Sequence, residues 1–384
     1  MSTTKKNIGD VVPGEYIVVL KDGSFVQKFQ DKVNSVDDRD AKLLTAYKAI
    51  PACCASLSTN MVQEFEHDDN VAYIEQVRVV GLTFPDASFV TTGGRLHDYW
   101  GLNRVCERKI KEQHPYHYPA TGKGITAYVV DTGIYTDHQE FKGRASWGYN
   151  AMTNSQNADD DNGHGTHVAG TIGGTTYGVA KDVRIVGVKV LGADGSGTNA
   201  TVLAGLDWVA KNAVPGKSVV NMSIGGGKDK AIDDAIKKLF LKNTPVVVAA
   251  DNDEDINSDD QSPSGSPFAY TVASVNWLEQ SSRFNSPGKN VDIFAPGERI
   301  LSACKGRPDA KEYIDGTSMA TPHVTGIAAI YLSLKPGTAQ TPGLEAIEVY
   351  EYLSKNATSG SVSGNLKGMP NFIIYNNPKE IIVA

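Results

Sequence analysis

GITAYVVDTGI, residues 124–134, runs apolar and β-like from Ile125 to Val130 and then stops at an aspartate followed by a Thr-Gly turn. Further strand-like runs stand at 184–190, 218–223, 245–250, 270–275 and 291–294. Between and after them, helix-like runs occupy 164–174, 199–213, 229–242, 317–334 and 343–355. Alternation of this kind, with right-handed crossovers, predicts an α/β fold: a doubly wound, mostly parallel sheet with helices on both faces. In such a sheet reacting groups gather beyond the carboxyl ends of the strands, which is where Asp131 falls.

Upstream lies a smaller unit, from about Val11 to Val80. A strand at 14–20, helical spacing at 33–47, a strand at 54–57, a helix opening with Asn60 and Gln63 as cap, and a strand at 71–77 make a split βαβ pattern. About 70 residues form only a marginal core, so this unit is expected to dock on a partner. Gly81 to Asp98, with Pro85 and Gly93-Gly94, reads as an exposed linker.

The 384 residues are 40% hydrophobic and 21% charged, with a net charge of -7, an ordinary globular balance that argues against nucleic-acid binding. No apolar stretch is long enough to span a bilayer, so no membrane partner is expected. The start, MSTTKKNIGDVVPGEYIVVL, does not read as a signal peptide. Four cysteines are not a disulfide framework. A Cys106–Cys304 bridge and small buried thiols both stay open, and no Cys or His spacing suits zinc.

Two more islands join the first. DNGHGTHVAGTIGG (161–174) sets His164 between glycines ahead of a helix, and DGTSMATPHVTG (315–326) sets Ser318 at another helix start. A serine hydroxyl becomes a nucleophile when a histidine takes its proton and a carboxylate orients that histidine. First-turn N–H groups at Ser318 favour developing negative charge, and Pro322 is expected within that same turn. A second oxyanion donor is sought at Asn252, which ends VVVAADN. His164 and His167, three apart, could also be read as metal ligands, but a helix turns His167 to another face, so it reads as structural.

On these residues the chain resembles a subtilisin-type serine protease of the proteinase K-like fungal branch. The resemblance implies a serine endopeptidase made as a self-processing zymogen. Residues 1–80 would be a ferredoxin-like α+β inhibitory propeptide, 81–98 a linker with the autoprocessing site near Thr91 to Gly94, and 99–384 the peptidase domain. It places the triad on Asp131, His164 and Ser318 and the oxyanion asparagine on Asn252. Gly195 and Ser196 would line one side of the substrate cleft, Ser223, Ile224 and Gly225 the other, with Ala249, Ala250 and Asp251 at the primary pocket. Extended protein segments would pair with both edges by β-augmentation. A structural Ca²⁺ would sit on Asp292 and the carbonyls of Pro267 and Ala269. The acidic run 251–262 is not an EF-hand loop, since Ile256 stands where glycine is required and Ser262 where glutamate is. A secreted or vacuolar monomer, acting on peptides and restrained by its own propeptide, is implied.

The chain departs from the family pattern at Asp251, which stands where the pocket wall normally has glycine. Two consequences are open: a preference for Lys or Arg before the cleaved bond, or a distorted oxyanion hole and an impaired, peptide-binding pseudoprotease. An aspartic protease is disfavoured because DTG occurs once, and a dinucleotide site because GxGxxG is missing after the first strand.

Overall fold

The computed structural model describes residues 7–36, 41–85, 97–110, 115–335 and 341–379. The N-terminal unit consists of β1 (Val11–Leu20), α1 (Val26–Asn34), β2 (Ala41–Ala46), β3 (Ala52–Leu57), α2 (Thr59–Glu66) and β4 (Val71–Gly81). Its strands are antiparallel in the order β2-β3-β1-β4, the expected ferredoxin-like arrangement. Two local readings are corrected. The first helix lies earlier than 33–47, burying Phe29 and Val33, and 41–46 is a strand paired with β3. Pairing at a sheet edge overrides a weak helical pattern there. The cap of α2 is Ser58, whose hydroxyl accepts the Met61 N–H at 3.4 Å, not Asn60.

The second unit runs α3 (Trp100–Cys106), β5 (Thr126–Asp131), β6 (Ala145–Asn150), α4 (His164–Gly173), β7 (Arg184–Lys189), β8 (Ser196–Thr198), α5 (Asn199–Asn212), β9 (Ser218–Met222), α6 (Lys230–Leu241), β10 (Val246–Ala249), β11 (Tyr270–Val275) and β12 (Val291–Pro296). It continues through β13 (Ile300–Ala303), β14 (Lys311–Ile314), α7 (Thr317–Leu334), α8 (Leu344–Asn356), β15 (Thr358–Ser359) and β16 (Phe372–Ile373). The main sheet has the order β15-β16-β12-β11-β10-β9-β5-β7-β6 and is parallel except at β15–β16. Alternate residues of β5 serve opposite faces: Ala127 and Val129 join a core with Val168, Ile172 and Ile327, while Tyr128 and Val130 join Leu206, Val209 and Ile236. Burial on both faces is why the strand reads as an unbroken apolar run.

The two units share that second core, which takes in Ile17, Ile50 and Val77 beside Val202, Leu203 and Ile232. Carboxylates cap the join. Glu75 accepts the N–H groups of Lys230 and Ala231, each at 2.8 Å, at the start of α6. Asp207 on α5 accepts those of Lys48, Ala49 and Ile50 at 2.5–3.0 Å. β8 then adds to β4 as a fifth antiparallel strand, pairing Val79, Val80 and Gly81 with Thr198, Gly197 and Ser196. β4 ends at Gly81, the first residue of the stretch read as a linker, and Leu82 beyond it still donates its N–H to Gly195 O, while Phe84 is exposed. No helix among the described residues is long and apolar enough to cross a membrane.

Candidate active site

β5 delivers Asp131 and α4 delivers His164 to one point. His164 Nδ1 lies 2.8 Å from Asp131 Oδ1, which also accepts the Thr132 N–H at 2.7 Å. Both side chains are buried, and Asp131 Oδ2 has no partner among the described residues. Close backbone approach makes this meeting feasible: a Cβ at Gly165, in the first turn of α4, would collide with the carbonyl oxygen of Gly133. Asp160 ties the two elements together. Its carboxylate accepts Thr132 Oγ1 (2.8 Å), Gly163 N (2.8 Å) and Thr166 N (2.9 Å). His167 faces elsewhere, as read: it is fully buried, its Nε2 lies 2.9 Å from Ile300 O, and burial pulls its pKa down to about 3. An imidazole held neutral this way is packing.

Ser318 is the second residue of α7, behind Gly316, whose φ of 147° suits glycine. Its N–H belongs to the first turn, where donors lack an intrahelical acceptor. Pro322 corrects the sequence reading. It lies beyond the first turn and removes the N–H that would bond Ser318 O. The Ser223 hydroxyl takes its place, donating to Ser318 O at 3.0 Å, while Ser318 Oγ donates back to Ser223 O at 3.2 Å. Asn252 Oδ1 accepts both Thr317 N (2.8 Å) and Thr317 Oγ1 (3.1 Å), and this fixes the amide so that Nδ2 points into the cleft.

The cleft holds the chain's own segment. Gly81 exchanges both backbone hydrogen bonds with Gly225 at 3.0 Å, and Leu82 N donates to Gly195 O at 3.0 Å. Thr83 O accepts Asn252 Nδ2 at 2.8 Å. The Phe84 ring meets the His164 imidazole edge-on, 6.2 Å between centroids. Thus Gly195, Ser196 and Gly225 pair with the segment from both sides. Asp251 accepts the Thr83 hydroxyl. Ile224, Ala249 and Ala250 are buried close by in the chain but hold no hydrogen bond to the segment among the described residues. Thr83 and Gln261, which donates to Asp251 Oδ2 at 3.2 Å, escaped the sequence reading. The signal for Thr83 was the β-run of 71–81 pointing straight into it.

Asp292 on β12 accepts Thr271 N at 2.7 Å, and burial pushes its carboxyl up to about 7. Ala269 and Pro267 lie just before β11. Among the described residues no three His, Cys, Asp or Glu side chains group to hold a metal, so a cation here needs those backbone carbonyls. A half-buried carboxylate whose one hydrogen bond is from a backbone N–H has the character of a hard-cation ligand. All four cysteines are free thiols; Cys106 is buried and donates to Asn103 O at 3.4 Å.

Sheet, helix starts and cleft together define a serine-type peptidase of the doubly wound α/β class. The chain belongs to the subtilase family, whose model matches residues 122–369. It is 37% identical over 388 residues to a cuticle-degrading serine protease of Arthrobotrys oligospora, spanning 95% of this chain and 91% of that protein. It is 39% identical over 393 residues to an extracellular serine proteinase of Thermus sp., spanning 95% and 90%. The crystal structure of a cold adapted subtilisin-like serine proteinase superposes with a TM-score of 0.67 at 42% identity, covering 72% of this chain and 97% of that one. Fungal relatives such as the subtilisin-like protease 2 of Pseudogymnoascus destructans, 36% identical over 376 residues, bear out the branch read from the motifs. The impaired-pseudoprotease alternative finds no support among these relatives.

Proposed function

We propose that this chain is a self-processing serine endopeptidase zymogen that first cuts its own Thr83–Phe84 bond. The observation that carries this reading is the seat of that bond: its carbonyl oxygen rests on Asn252 Nδ2 and its following side chain on His164. Ser318 attacks the Thr83 carbonyl carbon, turning its hydroxyl from Ser223 O to His164, which takes the proton. Asp131 holds the imidazole and balances its charge. Asn252 and the Ser318 N–H bind the oxyanion, His164 protonates the leaving Phe84 amine, and water hydrolyses the acyl-enzyme by the same route. The stretch Thr91 to Gly94 lies outside the described residues. After cutting, residues 1–83 stay docked on α5 and α6 as an inhibitor, since the shared core does not depend on the cut bond. N-terminal sequencing of the incubated full chain is expected to read Phe84 first; a terminus within 91–94 would move the cleavage site.

Asn252→Ala is expected to lower kcat about 100- to 1000-fold with little change in KM, a magnitude measured on a member of this family, subtilisin. Steady-state kinetics on a peptide amide check it, and a loss confined to KM would remove the oxyanion role. Bound at Asp292 and the Pro267 and Ala269 carbonyls, Ca²⁺ would tie the start of β11 to β12. Millimolar calcium is expected to raise Tm in the parent and not in Asp292→Asn, measured by thermal unfolding of the Ser318→Ala chain to avoid self-digestion. An equal rise in both would place the ion elsewhere. By likeness to the extracellular relative, the working compartment is outside the cytosol, and protein segments are the substrates.

A further inference from the structure

Asp251 stands where the pocket wall would have glycine, and it adopts a left-handed backbone, φ 88°, while buried. A non-glycine residue held there is strained, and such strain persists where surrounding contacts demand it. Here the contacts are specific. Asp251 Oδ1 accepts the Asn252 N–H at 2.8 Å and the hydroxyl of Thr83; Oδ2 accepts Gln261 Nε2 at 3.2 Å. A Cβ at Gly225 would collide with the same carboxylate, so the group lies across the pocket against the opposing edge strand.

We propose that Asp251 makes the primary pocket select a β-hydroxyl side chain, threonine first and serine next, at the residue whose carbonyl is attacked. The inference rests on the peptidase reading above. The carboxylate fills the space that a leucine or phenylalanine would need. It also meets the substrate at an atom one carbon from the backbone, whereas a lysine ammonium rides on a four-carbon stem and would overshoot. The Lys or Arg preference considered from sequence therefore loses its geometric basis. Valine matches threonine in shape but turns a methyl toward the buried Oδ1 and leaves it one donor short, with the Asn252 N–H alone. A site built to hydrogen-bond a substrate hydroxyl rejects analogues lacking it more sharply than an apolar pocket rejects extra bulk. Burial pushes the Asp251 carboxyl up, and the Thr83 hydroxyl is first among the hydrogen bonds that pull it back.

The test uses the self-processed chain incubated until residues 1–83 are degraded, with active sites counted by a fluorophosphonate on a separate portion. Peptide amides ending Val-Gly-Leu-X, after residues 80–82, carry X as Thr, Ser, Val, Ala, Leu, Phe, Lys or Arg. Per titrated site, kcat/KM for Thr is expected to exceed that for Val by about 10- to 100-fold, with Leu, Phe, Lys and Arg below Val. In Asp251→Gly the Thr-to-Val ratio should fall to about unity and the Phe-to-Thr ratio rise at least about tenfold. Should that variant not fold, Thr83→Val in the parent chain gives a second reading, its self-cleavage slowing about 10- to 100-fold by intact mass. Val equal to Thr, or Phe, Lys or Arg above Thr in the parent, would overturn the proposal while leaving the peptidase reading intact. Absence of both labelling and turnover would overturn both.

Discussion

Replacing Ser318 by alanine is expected to leave the chain at its full 384 residues after prolonged incubation, while the parent yields a fragment beginning at Phe84. Loss of the nucleophile should lower kcat about a millionfold, the scale measured in subtilisin, because the remaining groups can orient the bond but have nothing to attack it with. The substitution deletes one oxygen beside Ser223 O and leaves α7 its glycine start and its Pro322 detour. The uncut variant should therefore fold and keep residues 81–84 in the cleft. Intact mass spectrometry reads the result directly. Maturation of purified Ser318→Ala at the parent rate, free of other proteases, would sink self-cleavage.

Asp131→Asn is expected to cost about 10⁴-fold in kcat with KM little changed. Asp131 touches no part of the segment in the cleft; it acts through His164. An asparagine could keep its oxygen between Thr132 N and His164 Nδ1, at the 2.7 and 2.8 Å of the parent. It would still carry no charge to balance the imidazolium. Its amide would occupy the place of Oδ2, which already lacks a partner, and so bury unsatisfied N–H groups. Single-turnover kinetics separate the two parameters, and a loss under about tenfold would mean that Asp131 only packs.

Both outcomes depend on residues that were readable in the chain. The six strands and five helices expected from 125 onward appear within two residues of their places, because strands buried on both faces and long amphipathic helices leave period and composition behind them. α3, with seven residues, and β13 to β16, with four or fewer, are too short to do so. In the N-terminal unit the helical spacing of 33–47 misses both the helix of 26–34 and the strand of 41–46, since the pattern there is set by pairing with β3 and not by local periodicity. Asp131, His164 and Ser318 announced themselves through glycines that permit close approach. Pro322 was visible too, but its consequence, a carbonyl handed to Ser223, needed the fold.

Local residue chemistry thus marked the longer strands and helices of the second unit, the three side chains proposed for acyl transfer, and the unusual residue at position 251. Where residues 81–84 lie, and what Asp251 touches, emerged only from long-range geometry. The proposed cut between Thr83 and Phe84 is marked by no motif; it rests on β4, anchored on α5 and α6, running on between two edges until the Thr83 carbonyl reaches Asn252. A carboxylate's effect on a pocket likewise depends on what faces it, and Gly225, Gln261 and the Thr83 hydroxyl come from three separate stretches of chain. Side chains carry their chemistry in the sequence, but distance and direction between them exist only once the backbone has closed around a core.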